Sequence, residues 1–71
     1  MTHTELEWTP LSSSHVAAMA YNAADNELFV QYNNGSIYKF SAGQEEADGL
    51  RNASSPGRYM RLMMPKGDRI A

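Results

Sequence analysis

The stretch from Glu27 to Phe40 constrains this chain more than any other. Two strand-like runs flank Asn33-Asn34-Gly35, and asparagine–glycine between alternating residues is the strongest short-range hairpin signal. The register follows from the pattern. A two-residue loop, Asn34-Gly35, would set Val30 beside Lys39 and Phe29 beside Phe40, mixing apolar and polar groups on both faces. A three-residue loop, Asn33-Asn34-Gly35, collects Leu28, Val30, Tyr32, Tyr38 and Phe40 on one face. Phe29, Gln31, Ile37 and Lys39 then share the other. A one-residue slip flips every side chain of a strand, so the pattern selects the longer loop. Its closing residue, Gly35, then takes the left-handed bulge position.

The remaining segments are read around this hairpin. Residues 1–11 form a leading segment in which Leu6 and Trp8 alternate with Glu5 and Glu7, as in a short edge strand. The lone Trp8 is expected to cap a small core. Ser12-Ser13-Ser14 is a turn cluster. Val16–Tyr21 reads as a strand, with a helix from Ser14 as the alternative because three of its six residues are alanine. Asn22, Asp25 and Asn26 supply turn chemistry between it and the next strand. Residues 44–53 read as a helix with Ser41 as N-cap and Glu45, Glu46 and Asp48 favouring its first turns. Gly49 lies inside and costs about 1 kcal/mol, so this helix needs tertiary support. Ser55-Pro56 starts a second helical segment, with a strand as runner-up. It carries Tyr59, Met60, Met63 and Met64, read as core filling. Residues 65–71 are expected to fray. The fold class is therefore α+β: a small three-stranded antiparallel meander with C-terminal helical segments packed on one face, in a single domain spanning residues 12–64.

At 71 residues the core is small, and with no cysteine it gains nothing from disulfides or thiolate metal sites. Self-association into a homo-oligomer is one remedy. The absence of cysteine fits a cytoplasmic setting. The first five residues lack the blocks of a signal peptide, and no apolar run approaches a membrane span, so no membrane partner is expected. Charge is unevenly distributed. Residues 1–50 hold seven acids and one base, and residues 51–71 hold five bases and one acid. Such polarity marks either an anion-binding surface or two solvated faces that attract each other.

Enzymatic constellations are weak, and no catalytic residue, metal site or cofactor is assigned. Ser12, Ser13 and Ser14 precede His15, but neighbours on an extended chain point to opposite faces, which is poor geometry for a nucleophile and its base. Glu45, Glu46 and Asp48 match no metal-loop pattern. Two binding features remain. Aromatics on a small sheet can stack bases, although Tyr32, Tyr38 and Phe40 are read first as core. Phe29, on the opposite face beside Lys39, is a candidate exposed contact. The second feature is Arg51, Ser54, Ser55, Gly57, Arg58 and Arg61: small polar residues at a helix start with arginines nearby suit a nucleic-acid or other anion site. Lys39 joins this set by charge. The competing reading is ordinary capping, with the arginines paired to Glu45, Glu46 or Asp48.

These residues resemble the KTSC domain family, a short module named after the C-terminal extension of some lysyl-tRNA synthetases and also found alone in bacterial and phage proteins. The resemblance rests on Ser13-Ser14, Tyr21, Leu28, Val30, Tyr32, Asn34-Gly35, Tyr38 and Phe40, then Ala53, Ser55, Gly57 and Tyr59. It covers about residues 12–64. The chain departs from the pattern where Phe40 replaces a tyrosine, where Ser41-Ala42-Gly43 replaces a Val-Pro pair, and where Arg61 replaces an asparagine. The resemblance implies the fold, and association with a synthetase suggests RNA binding. The expected function is thus a non-catalytic binding module that contacts RNA or another nucleic acid through its basic C-terminal half. The alternative is a phage-encoded inhibitor that docks on a host enzyme or defence complex, such as an anti-CRISPR protein, through an acidic or apolar surface in the host cytoplasm.

Overall fold

The computed structural model describes residues 7–63 and 67–71. In chain order the elements are β1 (Thr9–Pro10), β2 (Val16–Asn22), β3 (Glu27–Tyr32), β4 (Ile37–Ser41), α1 (Gln44–Arg51), α2 (Pro56–Met63) and β5 (Asp68–Arg69). The strands form one antiparallel sheet in the order β1-β2-β3-β4-β5. The expected meander is its centre, β2-β3-β4, and a two-residue strand extends each edge. Edges this short leave little exposed backbone for unwanted pairing.

The β3–β4 hairpin takes the three-residue loop. Leu28 opposes Phe40, Phe29 opposes Lys39 and Val30 opposes Tyr38. Tyr32 N–H donates to the Ser36 carbonyl at 2.9 Å, and Gly35, at φ 94°, donates to the Tyr32 carbonyl at 2.9 Å. Asn34 Oδ1 accepts from the Ser36 N–H and hydroxyl at 3.0 and 2.6 Å, which locks the turn from its own side chain.

Strand β2 prevails over the helical alternative because its residues find partners. Met19 pairs with Val30 and Tyr21 with Leu28, and such cross-strand contacts outweigh alanine's low β-propensity. The register shifts between Val16 and Ala18. Val16 and Met19 are an odd number of residues apart, so an unbroken strand would aim them at opposite faces. The bulge brings both into one core. The first turn uses the expected chemistry: Asn22 Oδ1 accepts from Ala24 N–H at 3.1 Å, Asn22 Nδ2 donates to Asp25 at 3.2 Å, and Asn26 adopts φ 53°.

Val16, Met19, Leu28, Val30 and Phe40 from the sheet pack with Ala42, with Ala47 and Leu50 of α1 and with Met60 of α2. Each large aliphatic side chain so buried contributes about 1.5–3 kcal/mol. The side chains of Met63 and Met64 lie outside the described residues.

Three expectations change. The N-cap of α1 is Gly43, not Ser41. Ser41 still pairs with Glu27 as the last residue of β4, and Glu46 Oε1 instead receives the Gly43 N–H at 2.8 Å. Secondly, the chain end pairs rather than frays: Lys39 opposes Asp68, Tyr38 opposes Arg69, and Ile70 N–H donates to the Ile37 carbonyl at 2.8 Å. The open edge of β4 supplies the backbone groups that hold it. Finally, the leading segment pairs at Thr9–Pro10 rather than around Trp8, which stays 39% exposed. Its residues 1–6 lie outside the described residues. No helix among the described residues is long and apolar enough to cross a membrane.

Candidate functional site

The helices do not cover the whole core face. An open groove of about 820 Å³ runs between α2 and the Tyr32–Tyr38 end of the sheet, within the ~300–1,000 Å³ typical of small-ligand sites. Its floor is Tyr32, Tyr38 and Phe40, which share one face by strand alternation. Phe40 is buried, whereas Tyr32 and Tyr38 are half-buried: they rest on the core and also face the groove. Their ring centroids are 5.5 Å apart and the planes meet at 83°. Burial, and secondarily the neighbouring Tyr38 hydroxyl, push the Tyr32 phenol above its usual value.

Arg58 and Arg61 of α2 line the opposite wall. Three residues apart, they emerge on one side of the helix, and both are exposed. Gly57, also on this wall, lets the helix approach His15 closely. A β-carbon at Gly57 would stand 3.2 Å from the His15 ring.

A second depression of about 540 Å³ continues the groove past Ser14 and His15 to Asn33, Asn34 and Ser36. Tyr32 and Tyr38 line both parts. Hydrogen bonds fix this end. Asn33 N–H donates to the His15 carbonyl at 2.8 Å, and Asn33 Nδ2 donates to the Ser13 carbonyl at 3.1 Å. The Ser13 hydroxyl oxygen accepts from the N–H groups of His15 and Val16 at 3.1 and 3.2 Å. The serine cluster and the asparagine turn therefore form one unit, although 20 residues separate Ser13 from Asn33. No carboxylate among the described residues lines either part.

The expected anion site is divided by the structure. Ser55, Gly57, Arg58 and Arg61 line the groove. Arg51 does not: it pairs with Asp48 one turn earlier in α1 and borders a separate, smaller depression with Gln44 and Ala47. Ser54 is exposed between the helices, outside the groove lining. Lys39 lies on the far face of the sheet, 3.3 Å from Glu27. Phe29, opposite Lys39, is half-buried there, next to a fully covered Ala20. Pairing of arginine with the acids of α1 thus holds for Arg51; among the described residues, Arg58 and Arg61 have no such partner.

Sequence reasoning did not place Ser14, His15, Asn33 or the two tyrosines in a shared site. The paired serines and the asparagine turn were visible separately, but the contact that joins them is long-range. Chemically, the arrangement offers aromatic faces, cations and amide groups. Ser13 is occupied as a turn acceptor, and among the described residues no serine hydroxyl bonds to the His15 ring. No cluster of metal-ligating side chains occurs among the described residues.

Comparison with known proteins agrees with the fold. The family model of the KTSC domain matches residues 12–63. The crystal structure of a KTSC domain protein from Yersinia pestis superposes with a TM-score of 0.82 at 21% sequence identity, covering 94% of this chain and 100% of the other. No curated protein matches the sequence.

Proposed function

The chain belongs to the KTSC domain family, and from that premise we propose that it is a non-catalytic module that binds RNA or another nucleic acid in the groove between α2 and the β3–β4 hairpin. One observation carries this reading. Tyr32 and Tyr38 form a floor, Arg58 and Arg61 form a wall, and no acid among the described residues lines the space between them. Tyrosine faces stack bases without regard to sequence, and arginine holds phosphate through paired N–H donors. The rest of the molecule carries the acidic excess, so anionic ligands are directed to this one side.

The experiment is fluorescence anisotropy of a labelled oligonucleotide at low salt, with the wild type and an Arg58→Ala/Arg61→Ala variant. Each phosphate contact on a single strand adds about 0.7 to the slope of log K against log salt. The double variant is expected to bind more weakly and with a slope lower by about 1.4. An absence of binding at low salt, or equal binding by the variant, overturns the reading.

A further inference from the structure

We infer that the groove accepts one unpaired base, extruded from its strand, rather than a paired helix or a ladder of stacked bases. This rests on the nucleic-acid reading above and specifies its ligand. The argument is geometric. Tyr32 and Tyr38 meet at 83° with centroids 5.5 Å apart. Two bases stacked in sequence need parallel platforms, and this pair does not provide them. Perpendicular rings form a corner instead. A base lying on one ring meets the other ring edge to face, an orientation favoured by the ring quadrupole.

The corner is also partly covered. Both tyrosines are half-buried, whereas Arg58 and Arg61 of α2, which line the same groove, are exposed. Within a duplex, each base face is covered by its neighbours, so a base reaches such a corner only by leaving the stack. Extrusion of a paired base costs a few kcal/mol, and least where the base is already unpaired. The backbone then runs along the α2 wall, where the guanidinium groups meet its phosphates.

The polar end of the groove completes the fit. Asn33 and Asn34 each spend one end of the side-chain amide on the protein: Asn33 donates to the Ser13 carbonyl, and Asn34 Oδ1 accepts from Ser36. Among the described residues, the carbonyl of the first and the NH₂ of the second have no hydrogen-bond partner, giving the depression that adjoins the tyrosines one acceptor and one donor. Base edges present the same two kinds of group.

Three labelled RNA probes of related sequence test this with the intact protein: a single strand, a fully paired hairpin, and the same hairpin with one bulged nucleotide. The single strand and the bulged hairpin are expected to bind at least about tenfold more tightly than the paired hairpin. Tyr38→Leu should erase that difference and Tyr38→Phe should keep it, since only the ring is needed; base–aromatic stacking of about 1–3 kcal/mol corresponds to roughly 5- to 150-fold. Equal affinity for the paired and bulged hairpins overturns the inference while leaving nucleic-acid binding intact. If none of the three probes binds, both fail. Should Tyr38→Leu not fold, the three wild-type affinities decide.

Discussion

Tyr59 of α2 lies directly against the backbone of Gly49 in α1. A β-carbon at Gly49 would come within 2.9 Å of Tyr59 Cζ, and the Tyr59 hydroxyl donates to the Glu46 carbonyl at 3.1 Å. This contact is the tertiary support that a glycine inside an eight-residue helix requires. It also reverses the usual expectation for substitution. Gly49→Ala would gain about 1 kcal/mol of helix propensity at an open site. Here the added methyl displaces the Tyr59 ring, and overpacking of this kind costs about 1–3 kcal/mol. Gly49→Ala should therefore lower Tm, and Tyr59→Phe, which removes only the partly exposed hydroxyl, should lower it less. A rise in Tm for Gly49→Ala would show that the ring moves aside freely.

Gly35 makes the opposite kind of demand. No atom lies within 4 Å of a β-carbon built there, yet its φ is 94°. The constraint is backbone conformation alone. Gly35→Ala should cost about 1–2 kcal/mol, and Gly35→Asn less, because asparagine tolerates positive φ. Denaturant midpoints for the two variants give the test. A loss for Gly35→Asn as large as that for Gly35→Ala would show that positive φ is not what this position selects for.

These two glycines show what the sequence makes legible. The role of Gly35 was readable because the alternation of residues 28–40 admits one register, and that register needs a left-handed residue at 35. The role of Gly49 was not, because its reason is a tyrosine ten residues later on another helix. The bulge in β2 was hidden for a similar cause. Nothing between Val16 and Met19 marks it, and only the shared core explains it. The cap of α1 is Gly43 and not the expected Ser41; the real signal was Glu46, three residues after Gly43, whose carboxylate receives the Gly43 N–H. In the candidate site, the spacing of Arg58 and Arg61 and the Asp48–Arg51 pair follow from helical periodicity. Face assignment put Tyr32 and Tyr38 on the core side, but how far α2 covers that side is a matter of packing.

The Tyr32 phenol gives a pH signature. Its pKa is raised above the ordinary value of about 10, first by burial and then by Tyr38. The folded state therefore holds this proton more tightly than the unfolded chain does. The resulting stability is fully present below the unfolded pKa and is lost as pH rises through the higher folded value. Denaturant midpoints should fall above about pH 10, and Tyr32→Phe should fall less steeply over the same interval. Parallel declines for the two proteins would remove Tyr32 as the source.

Position, not net charge, should decide binding. Removing Arg51, Lys39, Arg58 or Arg61 singly changes the total charge by the same amount, so a long-range field would weaken all four variants alike. The structure separates them. Arg58 and Arg61 line the groove, whereas Arg51 is paired with Asp48 outside it and Lys39 with Glu27 on the far face. Exposed pairs of this kind contribute about 0–1 kcal/mol, so Arg51→Gln and Lys39→Gln should fold normally. They are expected to bind oligonucleotide within about twofold of wild type near physiological salt, where a charge more than ~8 Å from the phosphates is largely screened. Arg58→Gln and Arg61→Gln should each weaken binding and lower the salt slope by about 0.7. Four indistinguishable affinities, measured by anisotropy at one salt concentration, would assign the interaction to overall charge and remove the groove from it.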